Sequence, residues 1–294
     1  MHRLFEISLD WQLSFVLAAV AAVVTVAARR APERRWAAFA GGFGLELAII
    51  FVLYGTWQIA GSFSPSHVTA GMHRARWIWH AERDLRMPSE AALQRHLLPH
   101  PGLVKLSNSY YALLHTPPLA VLLLWLYVFH RDNYRSVRNT VVFTTGICLL
   151  IQFVPVAPPR LVPAFHMVDT AHLYNQSVYG AIGTGIANQL SAMPSVHIAW
   201  AVIVGLAAVR YGRSRWRWLV LTHPIVMWFV VALTANHFWA DGIVAIAVLV
   251  VVLAVQSLLR RLVREPAVVR PRGDIGSDEG VDPFPVAVEP VFVE

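Results

Sequence analysis

Residues 234–261 read TANHFWADGIVAIAVLVVVLAVQSLLRR. Residues 242–259 carry no charged side chain and are almost wholly aliphatic. A run of about 18 such residues is long enough, as a helix, to cross the hydrocarbon core of a bilayer. Arg260 and Arg261 close it. At its mouth stand His237 and Asp241, four residues apart. On a helix, positions i and i+4 share a face, so these two side chains can hydrogen-bond. The carboxylate then selects one tautomer of the imidazole and raises its basicity. An aspartate at the end of a membrane span is costly without a partner.

Composition places the whole chain in the same class. Of 294 residues, 56% are hydrophobic and 14% charged, against roughly a quarter charged in soluble domains. The mean hydropathy is +0.53. Apolar stretches recur at 11–28, 36–60, 108–129, 139–156, 195–211, 218–234 and 238–259, predicting an all-α, polytopic membrane bundle of about seven spans. The net charge of +7 is spread over arginine clusters between spans, so it orients the protein and is no nucleic-acid footprint. A lone cysteine, Cys148, excludes an intramolecular disulfide.

Arginines follow the first, third, fifth and seventh stretches. By the positive-inside rule these ends are cytoplasmic, which puts the N-terminus outside and the C-terminus inside. The expected organisation is an N-terminal anchor over 1–35, a membrane catalytic domain over 36–262, and a disordered cytoplasmic tail over 263–294. Within the domain, 62–107 is a polar, interfacial segment. Its 72–86 part has the composition of an amphipathic helix lying in the membrane surface, and Pro88-Ser89-Glu90 caps a second short helix. Pro117-Pro118 predicts a kink in the third span. Glu46 lies inside the second span and requires a partner.

This topology brings three span ends to the non-cytoplasmic face. The first carries Val156-Ala157-Pro158-Pro159-Arg160, the second Ala192-Met193-Pro194-Ser195-Val196-His197, the third His237 to Asp241. Two histidines, an aspartate and an arginine suggest phosphoryl transfer. His237, oriented by Asp241, is a nucleophile for phosphorus. His197 protonates the departing alkoxide and then activates the acceptor hydroxyl. Arg160 grips non-bridging oxygens, and Ser195 with the first amides of its helix adds an anion site. No metal and no cofactor are expected. Arg74, Arg76 and Arg83, with Tyr110 and His115 at the outer end of the third span, are secondary candidates for substrate binding.

Pro194-Ser195-Val196-His197 followed by His237-Phe238-Trp239-Ala240-Asp241 resembles the type 2 phosphatidic acid phosphatase superfamily over roughly 110–259. Ala157-Pro158-Pro159-Arg160 resembles the first motif of its inositol phosphorylceramide synthase-like branch. The resemblance implies a six-helix core formed by the second to seventh spans. It also implies turnover of a phospholipid, sphingolipid or polyprenyl phosphate through a phosphohistidine. The phosphatase branch carries Gly before the second-motif histidine, Ser-Arg six or seven residues before the third-motif histidine, and Lys seven residues before the first-motif arginine. Here Val196, Val230, Val231 and Phe153 stand there. Loss of those cations favours transfer to a hydroxyl acceptor such as an inositol-like polyol, with a lipid phosphate phosphatase as the alternative. Location in the plasma (inner) membrane, with the site on its non-cytoplasmic face, follows from the same reading.

A different class stays open, since a transporter or scaffold can keep such a bundle. A transporter places its ionisable groups near mid-span, whereas here they gather at span ends. His-x-x-x-Asp alone is also a weak signal, because any span end can carry two interfacial polar residues.

Overall fold

The computed structural model describes residues 10–30, 35–62, 68–176 and 189–264. Eleven α-helices form among them: α1 Trp11–Arg29, α2 Arg35–Ser62, α3 Val68–Asp84, α4 Glu90–Leu97, α5 Pro101–Leu113, α6 Thr116–Phe129, α7 Arg131–Gln152, α8 Thr170–Leu173, α9 Val196–Tyr211, α10 Thr222–Leu233 and α11 Trp239–Arg264. No strand forms among the described residues; Val156 and Ser191 make an isolated β-bridge. Residues 1–256 are one compact unit. Of the second unit, 257–294, the described part is the helical stretch 257–264. The tail beyond it, the N-terminal nine residues and the glycines of 177–188 lie outside the described residues.

Every predicted apolar stretch is built around a helix. Four segments are long and apolar enough to cross a membrane: α1, Phe39–Thr56 of α2, Arg215–Leu233 (a 3-10 stretch leading into α10) and Trp239–Leu262 of α11. α5 and α6 together are apolar enough for a fifth but are bent by 43° at their junction, as in a broken span or a re-entrant loop. The other two expected spans differ for local reasons. Ser195 caps α9 and Gly212 ends it after 16 residues. α7 starts at Arg131, eight residues earlier than the apolar pattern, and so includes Arg131, Asp132, Arg135 and Arg138.

The kink expected at Pro117-Pro118 is a full break one turn earlier. α5 stops at Leu113, and both prolines sit in the first turn of α6, where a missing N–H costs nothing. Pro224 likewise falls in the first turn of α10. The segment expected to be a polar connector is largely helical. α3 covers most of the anticipated amphipathic helix, and Ser89 caps α4, its side chain accepting from the Ala92 N–H.

Packing follows the pattern of a membrane bundle, with small residues inside and large apolar ones outside. α1 and α2 lie antiparallel, since Gly41 meets Ala28 while Gly55 meets Ser14. At Gly44 the helices are so close that a Cβ would sit 2.6 Å from Thr25 Oγ1. Glu46 finds Arg138, with which it forms an ion pair, and Tyr134, whose hydroxyl donates at 3.3 Å. One core cluster joins α6, α7, α9 and α11 through Leu126, Tyr134, Val141, Ile203, Val204 and Leu249. Only 22% of the α11 window is buried within the protein, and Val250, Val251 and Leu258 are exposed. Such an aliphatic exterior suits lipid, not water.

Candidate functional site

Three chain segments meet at one end of the bundle, and backbone hydrogen bonds join them. The Arg160 N–H donates to the Ala235 carbonyl at 3.0 Å, and the Ser195 N–H to the Asp241 carbonyl at 3.1 Å. Val156 pairs with the 190–192 strip through Val156 N to Leu190 O and Ala192 N to Val156 O. Residues far apart in sequence thus share one rigid platform before any side chain is considered.

His237 reaches the platform through the end of α10. The Ala235 N–H bonds Ala232 O, the Asn236 N–H bonds Val231 O, and Ala235 itself is left-handed at φ 57°. This is a Schellman close with alanine where glycine is usual, at a strain of about 1 kcal/mol. The chain then turns directly into His237 and the start of α11.

The His237 Nδ1 lies 2.7 Å from the Ala192 carbonyl and 3.2 Å from Asp241 Oδ2. Neither oxygen can donate, so Nδ1 carries the proton and Nε2 keeps the lone pair. Asp241 is fully buried. Its Oδ2 also accepts the Phe238 N–H at 2.9 Å, which locks the carboxylate relative to the ring.

His197 occupies the first turn of α9, its ring centroid 5.6 Å from that of His237. Aromatic rings hold it: Tyr111 stacks at 4.3 Å and His115 at 3.8 Å, and His115 in turn stacks on Trp200 at 4.5 Å. The His197 Nε2 is buried without a hydrogen-bond partner among the described residues. Ser195 is buried too, and its hydroxyl accepts from the Ile198 N–H as the helix cap. Its proton is therefore the part left for an anion.

Arg160 is held in place by Asp169, Nε to Oδ2 at 3.3 Å. Its charge reaches Tyr111, the ring that stacks on His197. Arg160, Ser195, His197, His237 and Asp241 are thus brought to one place.

The secondary candidates divide. His115 joins the cluster through its stack on His197. Tyr110 does not; its hydroxyl is 2.7 Å from His223 Nδ1 on α10. Arg74 donates to the Pro155 carbonyl at 2.9 Å, bracing the first-motif segment. Arg83 binds Glu90 at 2.9 Å and lies over Trp79, and Arg76 is exposed on α3. Sequence reading passed over Tyr111 as a site residue, although Tyr111 and His115 share the i, i+4 spacing used for His237 and Asp241. Nothing along the chain marks the Ala192 carbonyl or Asp169. Among the described residues, no cluster of His, Cys, Asp or Glu could hold a metal ion.

The sequence model of the PAP2 superfamily matches residues 76–255. That interval contains all three motif segments and most of the helices that carry them. Among curated proteins and solved structures, none matches the chain.

Proposed function

Because the chain belongs to the PAP2 superfamily, with phosphatase- or phosphotransferase-type chemistry on lipid phosphates as its general activity, we propose that it is a lipid phosphotransferase of the inositol phosphorylceramide synthase-like kind. It moves a phosphate or phospho-headgroup from a phospholipid, sphingolipid or polyprenyl phosphate to the hydroxyl of an inositol-like polyol. The observation that carries this reading is the proton arrangement on His237, whose Nδ1 is bound to Ala192 O and Asp241. An imidazole held this way presents Nε2 as a nucleophile.

In the first half-reaction the Nε2 lone pair attacks phosphorus and the phosphorus–oxygen bond to the lipid leaving group breaks. His197 delivers a proton to that departing oxygen. In the second, His197 takes the proton from the acceptor hydroxyl, whose oxygen displaces His237 from phosphorus. Arg160, Ser195 and the first amides of α9 bear the equatorial oxygens. The site lies at the non-cytoplasmic surface of the plasma (inner) membrane.

The choice of transfer over hydrolysis rests on where cations are missing. Val230 and Val231 are buried in the core of α5, α9 and α10, and Phe153 is exposed at the end of α7. These are the positions where the phosphatase branch carries Arg and Lys. A less cationic, more apolar pocket limits attack by water. The test incubates purified protein with labelled lipid phosphates, with and without inositol or other polyols. Labelled polyol phosphate that rises with polyol concentration supports transfer. Hydrolysis products alone at every polyol concentration leave the lipid phosphatase standing, and absence of any turnover points to a transporter or scaffold.

A further inference from the structure

α11 begins with an awkward problem of hydrogen bonding. Its first N–H groups have no acceptor within the helix, and the residue before it is Phe238, which cannot cap. Asp241 turns back to take the Phe238 N–H. The next two amides are taken by carboxylates from far upstream in the chain. Glu82 Oε1 of α3 accepts the Ala240 N–H at 2.8 Å, and Glu90 Oε1 of α4 accepts the Trp239 N–H at 3.4 Å, across 158 and 149 residues of chain. The Trp239 indole also donates to the Pro88 carbonyl at 2.9 Å.

We propose that Glu82 and Glu90 are positioning residues for the phosphotransfer, a carboxyl pair that clamps the first turn of α11 and so aims the His237–Asp241 pair. This rests on the functional reading above. Both side chains are sealed from solvent, with exposures of 1% and 0%. The charged groups around Glu82 are Arg83 beside it, Glu90 from α4, and Asp241 from α11. The Arg83 guanidinium lies 2.9 Å from Glu90 and 3.5 Å from Glu82. Burial, then the hydrogen bond and charge of Glu90, push the Glu82 carboxyl up to about 9. Protonated, Glu82 donates to Glu90 with one oxygen and still accepts from Ala240 with the other. Ionised, it repels both Glu90 and Asp241.

α3 is also bound to the first-motif segment. The Ala157 N–H donates to the Gly71 carbonyl at 3.1 Å, and Arg74 to Pro155. The Trp79 ring stacks on Phe165, and Phe165 meets Phe238 edge-on. The helix that reads as an interfacial connector therefore braces Arg160 at one end and His237 at the other.

The experiment uses the full chain in detergent or bilayer, with kcat and KM measured on a lipid phosphate across pH. Glu82→Ala removes the acceptor and is expected to lower kcat about 100-fold, as for misplacement by about an ångström, with KM changed less than about twofold. Glu82→Gln keeps donor and acceptor without a titrating proton. It should retain kcat at neutral pH and lack the alkaline fall near pH 9 that is expected of wild type. Hydrogen exchange of the peptide carrying Trp239 and Ala240 reads the clamp without chemistry, so an inert protein would refute the functional reading alone. Faster exchange in Glu82→Ala but not in Glu82→Gln supports the clamp. Unchanged exchange and kcat in Glu82→Ala overturn it, as does an alkaline limb that is the same in Glu82→Gln as in wild type.

Discussion

His237 has one nitrogen left for chemistry, because Nδ1 is bound to the Ala192 carbonyl and Asp241. His237→Ala is expected to abolish turnover, and wild type to trap acid-labile phosphate; near-normal activity in the variant would remove His237 from the nucleophile's role. Asp241→Asn keeps the shape but weakens control of the tautomer. It should lower kcat by about 10²- to 10⁴-fold while circular dichroism shows unchanged helix content. Glu82 makes a prediction about stability. Its carboxyl ionises near 4.5 in the unfolded chain and near 9 in the fold, so the folded state binds the extra proton between those values. The stabilisation is fully present below about 4.5 and is lost as pH rises toward 9. Glu82→Gln lacks this dependence, so its melting temperature should rise relative to wild type between about pH 5 and pH 8.5. A difference that stays constant over that range would contradict the assignment.

Among the elements, α11 carries a tight constraint beside the site. A Cβ at Gly242 would lie 2.6 Å from Ile198 Cδ1 and 2.7 Å from Trp228 Nε1. The glycine follows Asp241, so α9 and α10 approach the helix right beside the site. Gly242→Ala is expected to destabilise by about 1–3 kcal/mol through overpacking and to reduce kcat, since relief requires α11 or the Trp228 ring to move. Unfolding and rate measured on one preparation check this. A variant as stable and as active as wild type would mean that the contact yields without consequence. Gln94 on α4 has a similar long reach: it donates to the Val168 and Leu233 carbonyls and accepts from the Val168 N–H. α4 thus links the loop after Arg160 to the end of α10.

At the scale of the molecule, the open issue is which end of the bundle faces which side. α9 rises about 21 Å from His197 to Tyr211, with the motif segments at one end and Arg213, Arg215 and Arg217 beyond the other. The positive-inside rule predicts those arginines on the cytoplasmic side. Arg76→Cys on α3 and Ser214→Cys after α9, both at exposed positions, provide the test. A membrane-impermeant maleimide should label the first in intact cells and the second only after permeabilisation. The native Cys148 is buried and should stay silent. The reverse pattern would turn the protein over and put the site in the cytoplasm.

Sequence alone determined the membrane class, the helices and the two short motifs, since hydropathy and i, i+4 spacing are local quantities that survive without tertiary contacts. The sequence reading named His115 but chose Tyr110 over Tyr111, since composition gave no reason to prefer either tyrosine. Tertiary structure decided what the neighbours of those motifs do. It bound Arg74 to the Pro155 carbonyl and Arg83 to Glu90, paired Glu46 with Arg138, and put Ala192 O on His237. It also closed α10 on a left-handed alanine where a local reading would look for glycine. The Glu82 and Glu90 caps were illegible for the same reason. A helix start is normally completed by the residue beside it, and α11 is completed from about 150 residues upstream. Its bare amides carry no mark in the chain of which distant carboxylate will reach them; only the packing of α3 and α4 against the bundle chooses.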